Sequence, residues 1–352
     1  MVPLTDTPEA LAEAVSALSG QPRIAVDTEA DSLHSYYEKL CLLQISIPGR
    51  DLLVDPLAGV PLDGLWAVLQ PCELIFHGAD YDLRLMRRSG YAGPTRIFDT
   101  MIAARLCGLV EFSLAALILR NFGIELAKGS QKANWAMRPL PEKMTDYAVN
   151  DSRYLIQLAD IFTAKLQELG RWAWFEQSCE RAIIASTITK ERDPDQLWRI
   201  SGSSDLSDRG NAVLRALWQW REQEAQTIDR PAFHILHNEQ MVDSAERFDR
   251  GEEVEIRHLR GSRRTRFFEA AKEALALPAE EWPKHIRKPR PRSTPDWDAR
   301  FRGFKKQRDA AATALNLDPA LIAPKATLER LAAEPEETTA KLMPWQREIM
   351  GL

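Results

Sequence analysis

The segment Ile24-Ala25-Val26-Asp27-Thr28-Glu29 constrains this chain more than any other. It reads as a buried strand carrying two acids at its end. Side chains two apart in a strand share a face, so Asp27 and Glu29 project together. Two further apolar runs, residues 40–47 and 51–55, follow after short turns at 34–38 and Pro48-Gly49-Arg50. Three strands joined this closely predict an antiparallel meander. A helix over 62–70, a strand over 73–77 and a helix over 80–89 ended by Gly90 come next. Helices are then expected over 100–107, 113–122, 141–170 and 171–189. That order predicts an α/β unit, a mixed sheet with helices on its faces.

A second acidic motif lies more than a hundred residues on, in Tyr147-Ala148-Val149-Asn150-Asp151. Residues four apart share a helix face, so Tyr147 and Asp151 project together. Between the two motifs, Glu73-Leu74-Ile75-Phe76-His77-Gly78-Ala79-Asp80-Tyr81-Asp82 runs from strand into helix. Asp82 is the fourth candidate carboxylate, and helix phasing prefers it to Asp80, which falls nearer the cap. Four carboxylates side by side raise one another's pKa, and divalent cations remove that conflict. Oxygen-only ligands favour magnesium or manganese over zinc.

These residues, in this order and context, resemble the DEDD family of 3′→5′ exonucleases, in the variant with a tyrosine before the last aspartate. Within it the chain is similar to the ribonuclease D family. Supporting stretches are Tyr36-Tyr37, Leu42-Leu43-Gln44-Ile45, Phe98-Asp99-Thr100 and Asn134-Trp135-Ala136-Met137-Arg138-Pro139-Leu140. The resemblance covers about residues 1–285. It implies a ribonuclease H-like exonuclease domain followed by one or two all-α domains of the kind shared with RecQ-type helicases, the HRDC domain. It also implies two-metal phosphodiester hydrolysis that releases 5′-mononucleotides from a 3′ end. In that scheme Asp27 bridges both cations, Glu29 and Asp151 hold the one that activates water, and Asp82 supports the second. Tyr147 orients the water, since an unperturbed phenol pKa of about 10 makes it a poor base at neutral pH.

The boundaries expected from composition are an exonuclease domain over 1–190, a helical domain over 205–283, a basic Pro-rich linker over 284–295 and a second helical domain over 296–352. Pro194 and Ser201-Gly202-Ser203-Ser204-Asp205 mark the first break. The core of the first helical domain is expected to include Val213, Leu214, Leu217, Trp218, Trp220, Phe233, Ile235 and Leu236.

Net charge is −5, which by itself disfavours nucleic acid, but its distribution matters more. Residues 284–308 hold ten Lys or Arg against two Asp, and Arg257, Arg260, Arg263, Arg264 and Arg266 form a second basic group. No run approaches the ~18–20 apolar residues of a membrane span, and the first residues lack the basic and apolar regions of a secretory signal. The cysteines Cys41, Cys72, Cys107 and Cys179 form no CxxC. A reducing, cytoplasmic setting fits them.

Further substrate contacts are expected from Trp135, stacking a terminal base, and from Arg138, pairing a phosphate. Gln44 and His77 are candidates for lining the cleft. Arg263 and Arg264 are candidates for holding the body of an RNA through phosphates, which is salt-sensitive and sequence-independent. Asp99 reads as a helix N-cap, and His77 also reads as a packed turn residue. The expected activity is 3′→5′ exoribonuclease, with tRNA precursors carrying 3′ extensions as the substrates the resemblance implies. A DNA exonuclease shares the catalytic set, because RNA selection needs a contact to the 2′-hydroxyl. A non-catalytic RNA-binding scaffold on the same fold is the third reading, and the complete acid set weighs against it.

Overall fold

The computed structural model describes residues 2–127, 129–188, 193–284 and 294–352. They divide into two compact units. The first holds residues up to 30, those from 40 to 188 and the C-terminal segment from 294 on.

The first unit is built on one six-stranded mixed sheet. In chain order its elements are β1 (Leu4–Thr5), α1 (Pro8–Leu18), β2 (Arg23–Ala30), β3 (Leu40–Ile47), β4 (Arg50–Val54), α2 (Asp63–Leu69), β5 (Glu73–Phe76), α3 (Asp80–Arg88), β6 (Arg96–Asp99), α4 (Thr100–Leu106), α5 (Leu114–Phe122), α6 (Glu142–Arg153), α7 (Leu155–Glu168) and α8 (Trp172–Thr187). The strand order is β1-β4-β3-β2-β5-β6. As expected, β2, β3 and β4 form an antiparallel meander. β5 adds parallel to β2, and β6 parallel to β5. β3, Leu-Cys-Leu-Leu-Gln-Ile-Ser-Ile, is buried at every position. A strand covered on both faces shows no alternation, which accounts for its continuous apolar run.

Two strands depart from the sequence expectation. β1 is two residues long and pairs parallel with β4. β6 supplies the sixth strand from a segment read only as the approach to a helix. The helix expected over 141–170 is broken at Tyr154, with α6 before it and α7 after.

The segment containing α13 (Pro295–Leu315), α14 (Pro319–Ile322), α15 (Lys325–Ala333), α16 (Pro335–Ala340) and α17 (Pro344–Met350) belongs to the first unit. Ala312, Ile322, Leu331, Trp345 and Met350 share one apolar cluster with the sheet residues Ile24, Val26 and Ile75. Trp174 of α8 stacks on Trp345 with ring centroids 5.3 Å apart. Arg171 ties the segment in polar terms, donating to the carbonyls of Leu106 and Leu315 at 2.6 Å each. Most of the stretch read as a linker, 285–293, lies outside the described residues, and with it Arg287, Lys288, Arg290 and Arg292.

The second unit comprises α9 (Asp208–Thr227), α10 (Ala232–Ile235), α11 (Asn238–Arg250) and α12 (Gly261–Leu275), together with residues 31–39. Its core holds Trp198, Val213, Leu214, Leu217, Trp220, Ile235, Leu236 and Phe267. Phe233, expected inside, is 40% exposed, and its ring packs edge-on against His234. Residues 31–39 are held through Tyr36, whose hydroxyl donates to Glu222 at 2.9 Å and accepts from Gln226 at 3.0 Å. Asp229 accepts from the backbone N–H of Tyr36 and Tyr37 at 3.0 and 3.1 Å.

Candidate active site

α6 lies against the meander, and this packing assembles the acids. Ser46 on β3 and Ser152 on α6 join hydroxyls at 2.8 Å. One turn before Ser152 on α6 stands Ala148, fully buried, small enough to bring helix and sheet close. Residues 147 and 151 therefore face the strand pair that carries Asp27 and Glu29. Asp27, Glu29 and Asp151 each offer a carboxylate oxygen, and these three atoms lie within 4.8 Å of one another. A bulge between Glu29 and Ala30 ends the regular pairing of β2 beside this cluster. Bulges commonly re-aim side chains next to active sites.

Asp82 enters from the other side of β2, in the first turn of α3. It is 7% exposed and accepts from the Thr28 hydroxyl at 2.6 Å. Asp80 instead points outward and pairs with Arg84 at 2.9 Å. The turn that delivers α3 is fixed by Asp99 at the end of β6. Its two carboxylate oxygens accept from Gly78 and Ala79 backbone N–H at 3.1 and 2.8 Å. The same carboxylate caps α4 through Met101 and Ile102. Gly78 has φ +86°, and a β-carbon there would lie 3.0 Å from the Met101 methyl, so the turn requires glycine. The capping role of Asp99 toward α4 is legible in sequence; its grip on the turn before Asp82 is not.

The electrostatics reflect the crowding. Burial, then the charges of Asp82, Asp151 and Glu29, push Asp27 well above the usual carboxylate range. Burial and the Asp151 and Asp82 charges push Glu29 up to about 9. Burial pushes Asp151 up to about 7, with hydrogen bonding from Tyr147 acting against it. Asp82 rises to about 6, chiefly by burial, partly offset by the Thr28 hydroxyl. Tyr147 is raised by burial and by the surrounding carboxylates, so its hydroxyl keeps its proton at neutral pH. Four acids that resist ionisation together, with no lysine or arginine among the causes of their shifts, fit hard divalent cations. Such cations take oxygen ligands and supply the missing positive charge.

The other expected contacts fare differently. Arg138, expected to pair a phosphate, is engaged by the protein itself. Its guanidinium makes a bidentate pair with Asp55 at 2.6 Å for each bond. Its remaining donors go to the carbonyls of Trp135, Met137 and Cys41 at 2.7–2.8 Å. Asp55 is 3% exposed, so the pair locks the 133–140 loop onto β4. Arg138→Ala leaves that carboxylate buried and unpaired, and we expect a loss of about 3 kcal/mol of stability. Urea unfolding checks this; a change under about 0.5 kcal/mol, as for an ordinary surface residue, sinks it.

Trp135 is likewise corrected. At 1% exposure it has no face open to a base, and its ring sits 6.2 Å from that of Tyr147 as its packing support. Gln44 is fully buried and lines no open cleft. His77 takes the packed-turn role. Thr100 donates its hydroxyl proton to the Phe76 carbonyl at 3.0 Å, so the 2.9 Å contact with His77 requires Nδ1–H as donor. Burial lowers the His77 pKa, which keeps that tautomer neutral. Arg263 is paired with Glu224 at 3.1 Å, as is Arg266 at 2.6 Å. Arg264 remains exposed, its guanidinium 5.3 Å from the Phe268 ring centroid.

Comparison with known proteins adds the family context. A family model described as 3'-5' exonuclease matches residues 3–167, and an HRDC domain model matches residues 210–253. The ribonuclease D of Sphingobium indicum is 31% identical over 365 residues, covering 99% of this chain and 92% of that one. The ribonuclease D of Zymomonas mobilis is 34% identical over 298 residues, covering 80% and 75%. Among solved structures, Escherichia coli RNase D superposes with TM-score 0.74 at 22% identity, covering 100% of this chain and 96% of that one. A Bifidobacterium adolescentis protein superposes with TM-score 0.85 at 24% identity, covering 99% and 95%.

Proposed function

The chain belongs to the ribonuclease D family and is a 3′→5′ exoribonuclease, and from that premise we propose that Asp27, Glu29, Asp82 and Asp151 hold two divalent cations and that the substrates are structured RNAs with 3′ extensions, tRNA precursors among them. The convergence of three carboxylate oxygens within 4.8 Å carries the first part. Asp27, Glu29 and Asp151 would hold one cation between them, and Asp82 would help hold the other. When bound, the cations lower the pKa of the attacking water and offset charge developing on the phosphate.

The protein's own residues do the rest. Asp99 and Gly78 fix the turn that aims Asp82. Thr28 holds the Asp82 carboxylate in one orientation. Tyr147 keeps its proton, so it orients the attacking water by hydrogen bonding and does not act as base. A new bond forms from the water oxygen to phosphorus, and the bond to the 3′ oxygen of the penultimate nucleotide breaks. That oxygen takes a proton, and a 5′-mononucleotide leaves.

An exonuclease domain over 1–190 and a helical domain over 205–283 remain part of this reading, with the helices of 296–352 packed on the exonuclease core. The helical unit would hold the RNA body. With Arg263 and Arg266 engaged by Glu224, the exposed arginines for phosphate contact are Arg257, Arg260 and Arg264. The four cysteines are buried and form no disulfide, which supports a reducing cytoplasmic setting. Among the described residues no helix is long and apolar enough to cross a membrane.

The test offers a 3′-extended tRNA transcript and a single-stranded DNA of similar length with magnesium, manganese or chelator. We expect cation-dependent shortening of the RNA from its 3′ end, faster than that of the DNA. Equal or faster degradation of the DNA would favour the DNA-exonuclease reading. Blockage when the 3′ extension is supplied as a stable duplex would support end recognition.

A further inference from the structure

Gln44 is a buried side chain beside the acid cluster with both of its polar atoms idle. It is fully buried, and neither its Nε2 nor its Oε1 has a hydrogen-bond partner. It sits on β3 directly opposite Asp27 on β2. Opposed residues of an antiparallel pair share a face, with Cβ atoms about 4.5–5.5 Å apart. Its apolar neighbours offer the amide no acceptor, and the Nε1–H of Trp135 in the same cluster, itself without a partner, is a donor and cannot take the Gln44 Nε2–H. Leu53, opposite on β4, and Leu42, two residues away, are apolar and join an apolar cluster with Ala148 and Val149 of α6. Ser46, on the other side, is engaged by Asp51 at 2.7 Å and by Ser152 at 2.8 Å.

Leucine here would leave no polar atom unpaired, whereas an unpaired buried amide costs about 1–3 kcal/mol in proteins. The amide is therefore retained for a partner, and Asp27 is the polar group facing it. We propose that Gln44 is a positioning residue for Asp27: its Nε2 donates to the Asp27 carboxylate and holds it in the orientation that binds a divalent cation. The inference rests on the assignment of Asp27 to the metal site. Hydrogen bonds of this kind are often long in the unliganded state and close only when the site is loaded. Outer partners of a ligating carboxylate fix its direction, and their loss typically weakens metal binding about 10–100-fold.

The test measures Mn2+ affinity by calorimetry at pH 7.5 on the full chain for wild type, Gln44→Leu, Gln44→Met and Asp27→Ala, together with Tm in chelator. We expect both Gln44 variants to bind Mn2+ about 10–100-fold more weakly, while their Tm in chelator equals or exceeds that of wild type. A merely structural glutamine cannot move the two readouts in opposite directions. Binding within threefold of wild type in both variants overturns the proposal. So does a marked fall in Tm in chelator for both, which would make the amide structural. Asp27→Ala separates the two assignments: if it binds Mn2+ as wild type does, the metal site itself is misplaced. If it alone loses binding, only the role of Gln44 fails.

Discussion

Asp27→Asn is expected to lower the rate of RNA trimming on the order of 10⁴-fold, equivalent to ~5–6 kcal/mol of transition-state stabilisation. Under chelator at pH 8 the same variant is expected to be at least as stable as wild type. The two results have one cause. Asp27 stands among Asp82, Asp151 and Glu29, and their charges together with burial hold its carboxyl far from easy ionisation. Asparagine keeps the shape and removes the ionisable group. The metal-free protein then carries one fewer mutually repelling acid, while the proposed cation site loses one of its carboxylates.

Single-turnover trimming of a 3′-extended RNA and thermal unfolding in chelator check the pair. A variant that is inactive because it unfolds would show both losses together; here they are expected to diverge. Retention of more than a tenth of the wild-type rate would remove Asp27 from the centre of the site. The same comparison made with Asp80→Asn should show neither effect, since Asp80 faces outward and pairs with Arg84.

The parts of the site that share a local period can be read from sequence alone. Asp27 and Glu29 are joined by the two-residue period of a strand, and Tyr147 and Asp151 by the turn of a helix. Asp82 is separable from Asp80 by phasing, since α3 buries Asp82, Leu83, Leu85 and Met86. What local period does not carry is the identity of a distant partner. Arg138 looks available for phosphate because nothing near it in sequence names Asp55, eighty-three residues earlier. Trp135 looks like a stacking platform because its burial depends on where α6 comes to rest. β1, at two residues, is too short to show any period, and β6 shows its character only through pairing with β5. The C-terminal helices have apolar faces that are plain in sequence. Only the fold shows that Trp345 stacks on Trp174 and that these helices share the core of the first unit, which nothing local in residues 296–352 announces.

Metal-free protein is expected to lose stability as pH rises from about 4 to about 9, and magnesium or manganese to restore it most strongly at the alkaline end. Asp82, Asp151 and Glu29 have ordinary values of 3.8, 3.8 and 4.5, raised in the fold to about 6, 7 and 9. Between each pair of values the folded chain binds more protons than the unfolded one. Unfolding free energy therefore falls with pH across that window. The stabilising contribution is complete below about 4 and gone above about 9. Within its own window each acid lowers the unfolding free energy by up to ~1.4 kcal/mol per pH unit. A cation must displace those protons, so its affinity should climb with pH over the same range. Urea unfolding at pH 5, 7 and 9, in chelator and in excess Mg2+, measures both arms. Asp27→Asn should flatten the slope in chelator, because it removes an acid whose own pKa is raised by burial and by its neighbours' charges. A chelated wild type whose stability is level or rising from pH 5 to 9 would mean that the four acids do not share one buried site, and the metal assignment would fall with it.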